Sequence, residues 1–495
     1  MKILFVNPEY PNTFWSFKYA LKFVAKKVAF PPLGLLTVAS LLPEDWEKKL
    51  VDMSAKKLKD KDLQWADYVF IGAMSVQKES AKKIIERCRK IGVKTVAGGP
   101  LFTSEHEDGD WDGVSHFVLN EAEITLPMFL EDLKSNRLKR VYSSSQWADL
   151  ETTPLPSWKL INKRHYNCMN IQYSRGCPFD CEFCDITLLY GRVPRTKSQG
   201  QILAELDALY DWGWRGSVFF VDDNFIGNKA KLKGEILPAL IGWMEKKKHP
   251  FTFLTEASVN LADDAELMRM MAKAGFRTVF VGIETPDEEG LKECNKFQNK
   301  NRDLVDCVKR IQGAGMEVQA GFIVGFDSDT PSIFERQIEF IQKSGIVTAM
   351  VGLLGAMRGT RLYHRLNGEK RILQSASGNN TDGSLNFIPK MNRQALIDGY
   401  RKILQTIYSP KYYYERIHAF FREYRPFKTK SHSGRFRWGY VGAFLGSIWV
   451  LGVKTKGRIY YWKLFFWCLF KKPKLLPLAI TFSIYRYHFE NIFKL

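Results

Sequence analysis

Three cysteines within eight positions, Cys177-x-x-x-Cys181-x-x-Cys184, are the residues whose type and spacing speak most directly of chemistry. They stand in Tyr173-Ser-Arg-Gly-Cys-Pro-Phe-Asp-Cys-Glu-Phe-Cys-Asp185, a loop opened by Gly176 and Pro178. A cubane iron–sulfur cluster holds four irons and ordinarily takes four thiolates. Three clustered thiols would leave one iron open to a ligand that is not protein. Asn170–Ser174, just before them, reads as a short strand. The loop then sits at a strand's carboxyl end, where barrel folds keep their reactive groups. A structural zinc site and three unrelated thiols are the other readings of this spacing. Zinc asks for a fourth ligand, usually from a second C-x-x-C or a His pair, and none lies nearby.

The elements that would position this loop come as strand–helix pairs. After it follow the apolar runs Ser217–Val221, Phe251–Thr255, Thr278–Ile283, Glu317–Val324 and Thr348–Leu354, six strands with the first. Residues 1–150 form a separate series, with strand candidates Ile3–Val6, Leu50–Met53, Tyr68–Ile71, Val93–Ala97 and Phe117–Leu119 and a helix from Lys78 to Ile91. Such alternation predicts an α/β fold whose N-terminal part is a doubly wound parallel sheet. Ligands of such sheets bind at the strands' carboxyl ends. Here those ends carry Asn7-Pro8-Glu9, Gly72-Ala-Met-Ser75 and Gly98-Gly99-Pro100, small residues that let a large flat ligand approach the backbone.

The cysteine spacing, with the aromatic Phe183 before the last thiol, resembles the radical S-adenosylmethionine enzymes. The Pro31-Pro32-Leu33-Gly34-Leu35 stretch and the Gly98-Gly99-Pro100 turn resemble the cobalamin-binding subgroup of that family. Val221-Asp-Asp-Asn-Phe-Ile-Gly-Asn228, Thr13-Phe-Trp-Ser-Phe17, Asn380-Thr-Asp-Gly383, Asn386-Phe387 and Tyr408-Ser-Pro-Lys-Tyr-Tyr-Tyr-Glu-Arg416 are similar to the branch that includes the hopanoid C-2 methylases. The resemblance implies a cobalamin-binding domain over 1–150, a partial (β/α)6 barrel over 151–369 and a mostly helical extension over 370–495. It implies a 4Fe–4S cluster on Cys177, Cys181 and Cys184. S-adenosylmethionine would lie against Phe183, Asp222, Asp223, Asn224, Glu256, Glu284 and Gly325, and cobalamin against Asn7, Pro8, Ser75, Gly98, Gly99 and Pro100. Asp222-Asp223-Asn224 stands where the family often has Gly-Gly-Glu, so the residue-level match is looser there. Many cobalamin proteins present a cobalt-binding histidine in Asp-x-His-x-x-Gly. Ser104-Glu-His106-Glu-Asp-Gly109 lacks the Asp and follows the fourth strand, so His106 reads as a surface histidine and the lower cobalt face as free of histidine.

With 45% hydrophobic and 25% charged residues, the chain of 495 has a globular composition. Its other cysteines (Cys88, Cys168, Cys294, Cys307, Cys468) show no paired spacing. Met1-Lys-Ile-Leu-Phe-Val-Asn7 reads as a strand, not a leader, which points to a reducing cytoplasm. The net charge of +20 is uneven: from Ser431 to Leu495 there are eleven Lys/Arg and one acid, Glu490. The apolar aromatic runs Trp438–Val453, Ile459–Phe470 and Leu475–Tyr485 are each shorter than the ~20 residues that span hydrocarbon. Punctuated by cations, they read as helices lying at the inner face of the cell membrane, before barrel cover or a nucleic-acid surface. On that reading, truncation after Arg425 leaves cluster and barrel untouched.

The resemblance implies methylation of an unactivated carbon, most readily of a hopanoid-like membrane lipid. A 5′-deoxyadenosyl radical would abstract the hydrogen and cobalamin would deliver the methyl group. A flavodoxin- or ferredoxin-type donor would supply electrons, and nucleic acid is not an expected partner. Radical C–C bond formation or ring closure on a lipid or other scaffold is the alternative, and a non-catalytic cobalamin sensor or membrane tether a remote one.

Overall fold

Two parallel sheets, each built from strand–helix pairs, stand side by side and are closed at one end by the C-terminal helices. The structure, a computed structural model, describes residues 1–107, 111–379, 381–427 and 438–494, the side chains of 438–440 apart. Gly109, Asn380 and positions 428–437 lie outside the described residues.

The first sheet contains β1 (Lys2–Asn7), β2 (Glu47–Asp52), β3 (Tyr68–Gly72), β4 (Lys94–Gly98), β5 (His116–Val118) and β6 (Val141–Tyr142), in the order β2-β1-β3-β4-β5-β6. All its pairs are parallel. The five strands read from the sequence are present. The sixth, two residues long, is too short to carry an alternation. The strand order reverses at β1, which opens a crevice at the carboxyl ends of β1 and β3. Helix Lys78–Ile91 covers one face because Ala81, Ile84, Ile85 and Cys88 fall on a single buried stripe.

The second sheet runs β7 (Cys168–Ile171), β10 (Ser217–Phe220), β11 (Thr252–Glu256), β12 (Phe276–Glu284), β13 (Glu317–Val324) and β14 (Ala349–Leu353), each parallel to the next. β7 and β14 are its edges, so the barrel is partial. A small antiparallel pair, β8 (Ser174–Arg175) with β9 (Arg195–Thr196), brackets the cysteine loop. Alternation along β12 buries Val279, Val281 and Ile283 under the helices and turns Phe280, Gly282 and Glu284 to the other face.

Beyond β14 a strap crosses back to the first sheet. Asn386 fixes it, accepting from Ala356 N at 2.9 Å and donating to Ala356 O at 2.8 Å. At Gly378 (φ +71°) the strap lies on β3's end so closely that an added Cβ would stand 2.9 Å from Ser75 Cβ. Only glycine fits there.

The last helix, Leu476–Phe493, corrects the interfacial reading of the third apolar run. Phe489 stacks on Phe14 at 4.3 Å and packs on Tyr408 at 4.8 Å, and Tyr413 Oη donates to Phe482 O at 2.9 Å. Trp15, beside Phe14, packs edge-on against Phe280 of β12 and donates to Met350 Sδ of β14. Burial, with Glu317 and Cys168 close by, raises the Tyr485 hydroxyl above its ordinary range. Those two residues begin β13 and β7, so the helix plugs the amino-terminal end of the barrel. Truncation after Arg425 would therefore unseal the barrel, and the expectation that it leaves the barrel untouched fails. Among the described residues, no helix is long and apolar enough to cross a membrane.

Candidate active site

The cysteine loop leaves β8 at the carboxyl end of the barrel. Its first turn is held by carboxylates at the end of β10. Asp222 accepts from Tyr173 N at 3.3 Å, from Ser174 Oγ at 2.6 Å and from Ser174 N. Asp223 accepts from Gly176 N at 2.9 Å. These buried N–H groups need acceptors that strand pairing cannot supply. Asp222 and Asp223 are thus supports of the loop, a role the sequence reading did not give them. Asn224 is engaged likewise, accepting from Ser258 N at 3.2 Å and donating to Ser258 Oγ at 3.2 Å, which ties β10 to β11.

On its far side the loop is clamped by the segments after β12 and β14. Glu182 N donates to Cys294 O at 2.9 Å, and Arg365 Nε donates to Glu182 Oε1 at 2.8 Å. Gln298 Nε2 donates to Cys181 Sγ at 3.9 Å. Lys296 lies 2.6 Å from Glu284 Oε1, both largely buried. Burial opposes the charge of Lys296, but Glu284 and the thiol of Cys181 hold the ammonium above its ordinary range. Burial also raises all three thiols, and Lys296 works against it at Cys177 and Cys181. A cation beside the thiols suits a cluster whose sulfurs are anionic. Among the described residues no three metal-ligating side chains converge on one ion position.

Glu256, at the end of β11, is the one strand-end carboxylate here whose shift carries no protein hydrogen bond. Burial, then Asp223 and Asp222, push it up to about 8. Asp222 is pushed up to about 7 and Asp223 to about 6, chiefly by burial. Crowded carboxylates, offset only in part by Arg175 near Asp223, fit a ligand bearing an ammonium or a sulfonium. Glu284 sits at φ +63°, a strained conformation for a residue with a side chain, and its carboxylate is already paired with Lys296. Phe183 is partly buried against the barrel core. Gly325 (φ +109°) donates to Asp329 Oδ2 at 2.7 Å, a turn that a side chain would strain.

At the first sheet, Asn7 is taken up inside the protein. Its Nδ2 donates to Asp52 at 3.1 Å and its Oδ1 accepts from Gln77 at 3.3 Å. A Cβ on Gly98 would meet Val118 O at 2.7 Å, and one on Gly99 (φ +92°) would meet Ala73 O at 3.0 Å. These glycines are required by the chain's own packing, so bulk there would disturb the turn with or without a ligand. Pro100 opens the helix Pro100–Glu105. Pro8 offers its carbonyl to Gln77 Nε2 at 2.6 Å, and Ser75 lies under the strap. His106 is partly buried, its ring 5.9 Å from Phe117, and is less of a surface residue than its sequence context suggests.

One ion network, unread in the sequence, joins the two sheets beside the cysteine loop. Arg175 reaches Glu121 at 2.9 Å and Glu123 at 2.7 Å, and Arg195 reaches Glu121 at 2.9 Å. Glu121 and Glu123 sit at the start of helix Ala122–Lys134, which packs on the first sheet.

Residues 171–341 match the model of the radical S-adenosylmethionine superfamily, and 360–495 match a domain of unknown function. The chain is 32% identical over 471 residues to the hopanoid C-2 methylase of Rhodopseudomonas palustris, covering 93% of this chain and 88% of that protein. The chain belongs to the radical S-adenosylmethionine family, in the branch of the hopanoid C-2 methylases. It is also 40% identical to an uncharacterized methyltransferase of Synechocystis, over 99% of this chain and 91% of that protein. Its fold is similar to that of OxsB, a cobalamin-dependent S-adenosylmethionine radical enzyme solved with aqua-cobalamin and S-adenosylmethionine bound. The TM-score is 0.64 at 14% identity, covering 100% of this chain and 80% of that one. A 4Fe–4S cluster, S-adenosylmethionine and cobalamin are this chain's cofactors, and the two relatives named above are methyltransferases.

Proposed function

We propose that this radical S-adenosylmethionine enzyme methylates an unactivated carbon of a hopanoid-like membrane lipid. The observation that carries the reading is a likeness to a hopanoid C-2 methylase that runs through sheet, barrel and tail alike. We assign cobalamin binding to 1–150, radical chemistry to 151–369 and substrate-side functions to 370–495. When bound, the cluster and S-adenosylmethionine supply a hydrogen-abstracting radical, and cobalamin supplies the methyl group.

The chain's own residues orient and shield. Cys177, Cys181 and Cys184 hold the cluster, with Asp222 and Asp223 fixing the loop that bears them. Glu256 takes the cationic part of S-adenosylmethionine, with Phe183, Asn224, Glu284 and Gly325 forming the walls of its site. Pro8, Ser75, Gly98, Gly99 and Pro100 shape the shelf for cobalamin, with Asn7 bracing it from within. An electron donor of flavodoxin or ferredoxin type would approach the open groove outside the cysteine loop, lined by Pro178, Phe179, Arg192, Phe297 and Arg361.

The test is the lipid profile of a strain lacking this gene, read by mass spectrometry. A methylated lipid that disappears, and returns with the intact gene but not with the Cys177→Ala/Cys181→Ala/Cys184→Ala variant, supports the reading. An unchanged profile counts against it.

A further inference from the structure

Large apolar side chains stand in solvent on one pair of helices of the tail. On Arg458–Lys471, Ile459 is 61% exposed, Phe466 48% and Phe470 78%, while Tyr461, Leu464 and Cys468 on the opposite face are buried. On Trp438–Ser447 and its continuation Ile448–Lys454, Leu445 is 59% and Trp449 58% exposed, and Val453 follows at the same four-residue step. The two helices join through rings. Trp462 Nε1 donates to Gly452 O at 2.9 Å, and its ring stacks on Phe466 at 5.6 Å, which in turn stacks on Phe470 at 6.3 Å.

Along these two helices and the links at their ends the charge has one sign. Lys454, Lys456, Arg458, Lys463, Lys471 and Lys474 are exposed beside it, and the sequence has no Asp or Glu between Glu423 and Glu490. Lys454 Nζ lies 5.0 Å over the Trp449 ring. The last helix, by contrast, is turned inward as the barrel's plug, so the tail divides into an internal part and an external one.

We propose that this external face docks on the surface of a bilayer rich in anionic phospholipid. Apolar rings ringed by cations match the boundary between headgroups and acyl chains. Each Lys or Arg near an anionic leaflet adds to the attraction. The first helix with its continuation runs from Trp438 to Lys454 and the second has 14 residues; neither is long and apolar enough to span, so they lie in the plane. A second copy of the chain is the poorer occupant, because pairing this face with itself would set cations against cations with no acid between them. The proposal deepens the lipid reading above by naming the surface at which such a substrate would be met.

Flotation of the reconstituted full chain tests it, with phosphatidylcholine vesicles and with phosphatidylcholine–phosphatidylglycerol vesicles. The wild type should float with the anionic vesicles, less so as salt rises. Trp449→Ser/Phe466→Ser/Phe470→Ser should weaken binding roughly tenfold for each ring removed. Lys454→Gln/Lys456→Gln/Lys463→Gln/Lys471→Gln should lose the preference for phosphatidylglycerol while keeping weak binding to both vesicles. All these side chains are exposed, so both variants should melt with the wild type. The proposal is overturned if the serine variant floats like the wild type, or if the wild type stays unbound. It is also overturned if light scattering finds a wild-type dimer that the serine variant splits. Methylation of detergent-dispersed lipid by the same proteins separates the two readings. Wild type that methylates dispersed lipid but never floats refutes docking alone, and wild type that floats yet makes no methylated lipid refutes the substrate reading alone.

Discussion

Lys296 Nζ lies 2.6 Å from Glu284 Oε1, and the same ammonium stands in the field of the Cys177 and Cys181 thiols. One buried cation thereby links the end of β12, through a strained Glu284, to the cysteine loop. Neither partner is replaceable alone, because removing one leaves the other charged and largely buried.

Lys296→Met should therefore destabilise the protein by about 3 kcal/mol and lower its iron content after reconstitution. Adding Glu284→Gln to it should restore much of the stability, since the orphaned carboxylate is then neutral. Chemical denaturation of the single and double variants reads this. A double variant as unstable as the sum of its singles would show that the pair does not interact.

Arg175 is the counterpart on the other side of the loop, bridging to Glu121 and Glu123 across the two sheets. All three side chains are largely buried. Arg175→Met should cost on the order of 3 kcal/mol and should quicken proteolysis in the 143–150 connection. Arg175→Lys should not rescue it, as an ammonium cannot satisfy two carboxylates in a planar fork. Full rescue by lysine would contradict the assigned geometry.

Much of this was legible in the sequence, and the limits have physical causes. The strands of both sheets and the helix Lys78–Ile91 follow from hydrophobic period, which is a local property. The cysteine loop follows from three residues close in sequence. Arg175 with Glu123, and Asp222 with Ser174, are pairs 52 and 48 residues apart whose meeting depends on the fold. The last helix misled for the same reason. Its aromatic run reads as interfacial until Phe14 is brought against Phe489, and nothing near either residue announces the other.

Glu256 gives a pH signature. Its carboxyl is pushed up to about 8, so before ligand binds it holds a proton at pH 7 that it would not hold in the unfolded chain. Its contribution to stability is therefore largest at low pH and falls as pH rises through about 8. A cationic ligand reverses the balance and favours the ionised form. S-adenosylmethionine binding at pH 7 should release up to about one proton, seen by calorimetry in buffers of different ionisation heat. Glu256→Gln should abolish that release and weaken binding. Proton uptake by the wild type would contradict the assignment.

His488 carries the opposite sign. Burial lowers it to about 4 from 6.5, while its Nε2 stays 2.9 Å from Phe14 O. The unfolded chain takes up the proton first, so stability is full above pH 6.5 and is lost as pH falls toward 4. At pH 5 the loss should be on the order of 2 kcal/mol. The difference in melting temperature between wild type and His488→Gln should shrink from pH 7 to pH 5. A constant difference would mean that His488 is not the buried group that titrates.

The most direct test of the account is a single incubation. Reconstituted protein, reductant, hydroxocobalamin and S-adenosylmethionine with a deuterated methyl group would be mixed with a hopanoid-containing lipid extract and analysed by mass spectrometry. The account predicts a lipid carrying the deuterated methyl on a saturated carbon, together with 5′-deoxyadenosine. It predicts neither product from the Cys177→Ala/Cys181→Ala/Cys184→Ala variant, and no methylated lipid without cobalamin. Formation of 5′-deoxyadenosine with no methylated lipid, or methylation undiminished in cobalamin-free protein, would contradict it.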